Sequence, residues 1–335
     1  MLRKRLDDRH LPTKVMHIKA TGDSVFYTCL LSYLQSHQLQ PLKIEHLRSS
    51  VYLVQCKEHS FIMKGFASIV ALNKQKELTQ LLKKNGFTDS YSFLEHLPVF
   101  EHAGQVFGAI EYVSPSSDRF HFRNEKNRIE GLRLLRTFHK STGSNLTNKL
   151  SYFNQIVKWE ERLGLFCYNE PFLRELVAEP ILTSWINWAK WALAGMKQHE
   201  NELTAEKSVI IHGDCAHHNF LRKQDGELAL IDFDLIAYGA PLIDYLQYCS
   251  RIWPYLGDPA KELWSYPEIA VYKENKAFLY ALTYPTDILR EWNRLCKHRV
   301  SNHSTQMHSI WKMTVERFAE RMKFNEEIAG MIELL

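Results

Sequence analysis

The chain has 335 residues, 45% of them hydrophobic and 24% charged, enough apolar material for a sizeable core; disordered, collagen-like and disulfide-stapled miniature proteins are excluded. At roughly 150 residues per domain the length points to two domains or two lobes of one fold. The 42 Lys and Arg against 38 Asp and Glu leave a formal charge of only +4, too little to mark a dedicated nucleic-acid binder.

The first twenty residues interleave Arg, Lys, Asp and His and lack the apolar block of a signal peptide. Within them Arg3, Lys4 and Arg5 read as a solvated terminus or a docking tail. No segment approaches the ~20 apolar residues that span a bilayer, so a soluble protein with no membrane partner is expected. The six cysteines are scattered with no C-x-x-C pair and read as reduced thiols of a cytosolic protein. All eight tryptophans lie after residue 150, so the two halves are built differently.

In chain order, residues 51–56 and 60–64 are β-branched and aromatic runs with the pattern of a hairpin. A helix follows, capped by Ser68, carrying Ile69, Leu72, Leu78, Leu81 and Leu82, and stopped at Lys83, Lys84, Asn85 and Gly86. Residues 99–101 and 105–113 predict two strands joined through Ala103 and Gly104, and 114–117 a linker. The period then becomes helical. Asn124 is a cap, Ile129, Leu132, Leu135 and Phe138 repeat every third residue, and 141–144 break the run. Long helical patterns occupy 150–163 and 171–198, the second divided by Pro180. One β island interrupts them: 209–211, then 220–221 and 228–233 around a hairpin turn at 223–226. From Pro241 onward the pattern is helical again, with irregular stretches near 254–270 and 299–304. A small β-rich half with one helix, a linker and a larger helical half form the layout of a two-lobed kinase, an α+β fold.

The densest polar signal is His212-Gly213-Asp214-Cys215-Ala216-His217-His218-Asn219, followed by Ile231-Asp232-Phe233-Asp234, each at the end of a predicted strand. Phosphoryl transfer needs a carboxylate to orient or deprotonate a hydroxyl and oxygen ligands to hold Mg²⁺ against nucleotide phosphates. Asn219 lies five residues after Asp214, the spacing of the kinase catalytic loop. This motif pair resembles the aminoglycoside phosphotransferase and choline kinase superfamily, which is itself similar to the protein kinases. The residues 217–221 and 231–234 look most like the CotS and YutH type of spore-coat-associated proteins of endospore-forming bacteria.

The resemblance implies a bilobal fold with a nucleotide lobe at 1–113 and a helical catalytic lobe at 114–335, with ATP and Mg²⁺ as cofactors. It implies that Asp214 is the catalytic base and that Asn219 and Asp232 bind metal. Asp234, in place of the kinase glycine, is a further ligand or a solvated carboxylate. Lys64 matches the lysine that holds the α- and β-phosphates. Its partner should come from the next helix, where Glu77 is the only acidic residue between Lys64 and Gly86. Glu111, Tyr112 and Val113 match the hinge that receives adenine.

The phosphate-covering turn before Val51 holds Arg48, Ser49 and Ser50 and no glycine. It is therefore a poorer cradle, or one that uses serine hydroxyls and Arg48. The acceptor implied is a hydroxyl of a small molecule or coat saccharide, the setting the mother-cell cytoplasm or the spore coat, and further partners other coat proteins. The alternative is a catalytically inactive, kinase-shaped scaffold of the coat.

Several neighbouring residues have blander readings. His212 reads as a packed support for the loop, and Cys215 as a small filler, since no base adjoins it. His217 and His218 lack the further ligands of a zinc site. Asp244 starts a helix or braces the loop. Trp185, Trp188 and Trp191 share one helical face, as a core stripe or, less commonly, an aromatic cage for a quaternary ammonium.

Overall fold

The computed structural model describes residues 24–142, 150–297 and 304–335. The cluster Arg3, Lys4 and Arg5 and parts of the breaks expected at 141–144 and 299–304 lie outside the described residues. Contacts divide the chain into two compact units. One takes in the described residues up to Lys76 together with 91–113, the other 77–90 and the described residues from Ser114 onward.

The first unit is built on a five-stranded antiparallel sheet in the order β1-β2-β3-β5-β4. Its elements are α1 (Ser24–Ser36), β1 (Pro41–Arg48), β2 (Val51–Cys56), β3 (Ser60–Phe66), α2 (Ile69–Lys84), β4 (Phe100–His102) and β5 (Gln105–Glu111). The β2–β3 hairpin stands where the sequence predicts it. Strand β3 lies centrally, and its continuous run Phe61-Ile62-Met63 is buried. On α1, Phe26, Tyr27, Leu30 and Leu34 recur at helical spacing and pack with Val54, Phe61, Met63 and Phe107 into one core. Neither α1 nor β1 is read from the sequence. Only Pro41 and Ile44 of β1 are buried, so this edge strand shows no alternation of period two. Helix α2 starts as expected, with the Ala71 N–H donating to Ser68 Oγ at 3.2 Å. The last strand stops at Glu111, short of the expected 113.

In the second unit the helices are α3 (Glu125–Ser141), α4 (Gln155–Tyr168), α5 (Glu170–Leu173), α6 (Glu179–Gln198), α7 (Glu200–Thr204), α8 (Leu242–Ile252), α9 (Pro259–Glu262), α10 (Pro267–Ala270), α11 (Lys276–Thr283), α12 (Thr286–Lys297), α13 (Ser304–Trp311) and α14 (Phe318–Glu333). Asn124 and Asn154 cap α3 and α4 through side-chain oxygens. The helical pattern at 171–198 is divided at Pro180 as expected: α5 ends at Leu173, and Pro180 sits in the first turn of α6, where its missing N–H leaves no bond unmade.

Residues 77–90 join this unit because Phe87 packs edge-on against Phe138 and Asn85 Nδ2 donates to the Ser141 carbonyl at 2.6 Å. Of the tryptophan stripe of α6, Trp185 belongs to the core and Trp188 and Trp191 are half-buried. Trp185 is fully buried and donates to the Thr314 carbonyl, while Trp188 and Trp191 pack on each other and Trp191 on Tyr280. The β island forms two ribbons. β7 (Phe220–Arg222) pairs with β8 (Leu228–Leu230) around Gly226, whose φ is +90°. β6 (Val209–Ile211) pairs with β9 (Ala237–Gly239), a three-residue strand too short to leave a pattern in the sequence.

Candidate active site

Strand β6 delivers the chain to the loop that carries Asp214. The loop is held from behind by Asp244 in the first turn of α8, which is fully buried. Its Oδ2 accepts from the His212 N–H at 2.7 Å and from His139 Nε2 at 2.8 Å, and its Oδ1 accepts from the Gly213 N–H at 2.9 Å. Burial pushes the Asp244 carboxyl up, but the His139 hydrogen bond and charge, then His212 and the Gly213 N–H, hold it below the ordinary carboxylate range. The expected bracing role of Asp244 is thus realised, through a histidine 105 residues away in sequence.

Gly213 is required on two counts. Its φ is +79°, and a Cβ there would stand 2.3 Å from the Leu235 carbonyl oxygen. His212, fully buried, donates from Nε2 to the Ile231 carbonyl at 3.0 Å and accepts the Asp214 N–H on Nδ1 at 3.3 Å. Both nitrogens are occupied by the backbone, so this side chain supports the loop. Cys215 is buried, and burial pushes its thiol well up, so it stays an unreactive filler.

Asp214 itself is half exposed and faces a cavity of about 520 Å³ within this unit. Arg251 lies 3.4 Å from its Oδ1. The cavity wall includes Trp159, stacked on Tyr284 with ring centroids 4.1 Å apart.

Asn219 closes the loop. Its Nδ2 donates to the Asp214 carbonyl at 3.0 Å, its own carbonyl accepts the Ile231 N–H at 3.0 Å, and its Oδ1 is buried with no hydrogen-bond partner. An amide oxygen fixed by its own nitrogen and left unpaired is a hard donor suited to Mg²⁺. Asp232 follows Ile231 with φ +70° and ψ +70°, a left-handed backbone uncommon for aspartate. Asp234, two residues further, is exposed. Among the described residues no three or more His, Cys, Asp or Glu side chains converge as a metal cage. Two or three oxygen donors completed by phosphate and water are the usual Mg²⁺ arrangement, and these residues fit it.

In the first unit Lys64 lies on β3, opposite Val51 and Gly108, and is buried. Its Nζ reaches Gln75 Oε1 at 3.5 Å and lies over the Phe66 ring. Glu77 is half-buried on α2. The turn joining β1 to β2 is two residues, Ser49 and Ser50, with Ser49 at φ +41°. A glycine does serve it, supplied by the neighbouring strand: a Cβ on Gly65 would meet Ser50 Cβ at 2.6 Å, and the Gly65 N–H donates to the Ser50 carbonyl at 2.7 Å. Ser50 Oγ donates to Gln105 Oε1 at 3.0 Å. At the end of β5, the Glu111 N–H bonds to the Ser92 carbonyl, whereas the Val113 N–H and C=O have no hydrogen-bond partner among the described residues.

The sequence profile of the phosphotransferase enzyme family matches residues 71–276. The chain belongs to that family. The fold is similar to an aminoglycoside phosphotransferase from Alicyclobacillus acidocaldarius, at 16% identity and TM-score 0.64, covering 87% of this chain and 93% of that one. It is similar to aminoglycoside 2'-phosphotransferase IIIa in complex with GDP, at 15% identity and TM-score 0.58, covering 91% and 98%. Choline kinase LicA from Streptococcus pneumoniae matches at 16% identity and TM-score 0.55, covering 89% and 100%. No curated protein sequence matches the chain.

For this phosphotransferase-family chain the kinase-like α+β fold is therefore established, and the loop brings Asp214 and Asn219 together with the strand end that carries Asp232. Three supports were not read from the sequence. His139 and Gly65 leave no local signal, because their partners are distant in the chain. The third, the basic wall beside Asp214, does leave one: Lys158 and Arg162, and again Arg290 and Arg294, are like charges four residues apart in predicted helices.

Proposed function

We propose that the protein is an ATP- and Mg²⁺-dependent kinase that phosphorylates a hydroxyl of a small molecule. The observation that carries this reading is Asn219 Oδ1, buried and unpaired, on a loop that presents Asp214 to a cavity. Residues 1–113 act as the nucleotide lobe. There Lys64, with Glu77 as its ion-pair partner, holds the α- and β-phosphates, Ser49 and Ser50 cover them, and Glu111 and Val113 receive adenine through the backbone. Residues 114–335 act as the catalytic and acceptor lobe. The Asp214 carboxylate orients the acceptor hydroxyl and takes its proton on Oδ2. The hydroxyl oxygen forms a bond to the γ-phosphorus while the bond from that phosphorus to the bridging oxygen breaks, and the electron pair leaves on the ADP β-phosphate. Asn219 and Asp232, with Asp234 as a further ligand, would hold Mg²⁺, which offsets phosphate charge when bound.

The resemblance of residues 217–221 and 231–234 to CotS- and YutH-type proteins supports a place in the mother-cell cytoplasm or the spore coat, with coat proteins as partners. Among the described residues no helix is long and apolar enough to cross a membrane. One observation favours a second reading, a kinase-shaped scaffold without turnover: Ser50 Oγ already donates to Gln105, so the covering turn offers phosphate one hydroxyl proton fewer.

Thermal melts with and without millimolar MgATP decide between them. An enzyme shows a shift that Asp232→Ala abolishes, and ATP turnover that Asp214→Ala lowers by roughly 10²–10⁴-fold. A wild-type protein with no MgATP shift is the scaffold.

A further inference from the structure

The cavity in front of Asp214 is basic. Lys158 and Arg162 of α4, Arg251 of α8, Arg290 and Arg294 of α12, and Arg321 of α14 line it, against the carboxylates of Asp214, Asp287 and Glu291. Each carboxylate is already matched: Asp214 by Arg251, Asp287 by Arg321 and Glu291 by Arg290. Lys158, Arg162 and Arg294 have no carboxylate within ion-pair distance among the described residues; Lys158 lies over the Phe153 ring and Arg162 donates to Thr286. Helix α4 thus places two cations without a paired carboxylate four residues apart on the cavity wall, an arrangement that destabilises a helix unless an anion lies between the charges, and α12 adds Arg294 one turn from the matched Arg290. The opposite face of α12 holds Ile288, Leu289, Trp292 and Leu295 in the core, so its basic face cannot turn away.

Burial draws the Lys158 ammonium below its ordinary range, with Arg162 next. The Arg162 guanidinium is drawn down chiefly by burial, and that of Arg251 by burial and then Arg290. The cations are therefore crowded and under-compensated, although the whole chain is only +4.

We propose that the acceptor is an anion, a hydroxylated small molecule that also carries a carboxylate, phosphate or sulfate. That group sits among Lys158, Arg162 and Arg294 while its hydroxyl meets Asp214. The proposal rests on the kinase reading for the reacting hydroxyl, but the anion site stands on its own geometry. An amino sugar or a quaternary ammonium faces repulsion there, because each would bring a cation beside three that no carboxylate pairs directly.

Calorimetric titration of the full chain, without nucleotide, uses gluconate, glucose 6-phosphate and inorganic sulfate as anionic probes. Glucose is the neutral control, and kanamycin and choline are the cationic ones. At least one anion binds, glucose and the cations bind more weakly, and Arg162→Gln lowers anion affinity by roughly 10- to 100-fold. The double variant Lys158→Gln, Arg294→Gln, whose side chains donate no intramolecular hydrogen bond among the described residues, does the same if Arg162→Gln fails to fold. Which probe binds best separates carboxylate, phosphate and sulfate recognition.

Three results overturn the proposal: a cationic probe that binds more tightly than every anion, no anion binding at millimolar concentration, or anion affinity retained in both variants. MgATP melts run alongside keep the two readings apart. Anion binding without an MgATP shift removes the kinase and leaves the anion site, and an MgATP shift without anion binding does the reverse.

Discussion

Two glycine-dependent turns of this molecule are built in opposite ways. The loop 212–219 is pinned from inside: Gly213 takes the left-handed backbone itself, and the buried carboxylate of Asp244 gathers two backbone N–H groups and a histidine behind it. The turn at Ser49 and Ser50 has no glycine of its own. It settles against Gly65 of the next strand and is tied at its surface by one hydroxyl to Gln105. The first arrangement fixes the loop that carries Asp214 from a buried interior, and the second holds its turn by surface contacts, from the Ser50 hydroxyl and from His46 Nε2 to the Ser49 carbonyl. Buried hydrogen bonds are concentrated behind the loop and not behind the turn.

That contrast can be broken or sharpened experimentally. The largest effect belongs to Asp244→Ala, which strips three donors of their acceptor in a dry site and should destabilise the second unit by about 3–5 kcal/mol. A melting temperature within a degree of wild type would erase the contrast. Gly213→Ala comes next, expected to cost about 1–3 kcal/mol in denaturant titration, because its Cβ would collide with a carbonyl oxygen in a backbone region that alanine avoids.

Acid adds a graded test. The folded-state Asp244 carboxyl lies below its ordinary value, so its contribution is complete above that value and disappears as the pH falls through the folded one. Wild-type stability should therefore decline below about pH 4 more steeply than that of Asp244→Asn, measured by urea midpoints at successive pH values. The smallest effect is Ser50→Ala, below about 1 kcal/mol in thermal melts, since its exposed hydrogen bond is exchanged for water. Ser50→Ala as damaging as Asp244→Ala would mean that the turn is anchored as firmly as the loop.

Local pattern carried much of this architecture. The change from strand period to helix period after residue 114, the five-residue step from Asp214 to Asn219 and the strand end at Asp232 are all written within short windows. What escaped is non-local or short. Strand β9 has three residues, β1 exposes most of its side chains, and the His139–Asp244 bond joins residues that no window holds together. Pro180 marks the division between α5 and α6 from within the first turn of α6, a position that proline favours. The basic wall was legible as repeated charge spacing, but its meaning depends on four helices lining one cavity.

The pairing of Trp159 with Tyr284 at the cavity wall has a practical side. An indole held in a stack on the wall of the cavity that Asp214 faces, with a second, Trp253, beneath the Arg321 guanidinium on the same wall, makes this cavity intrinsically fluorescent. Entry of a ligand changes the polarity and the charge around two of the eight indoles. The protein thus carries its own fluorescent reporters of occupancy, and candidate acceptors can be screened in solution with no label and no turnover.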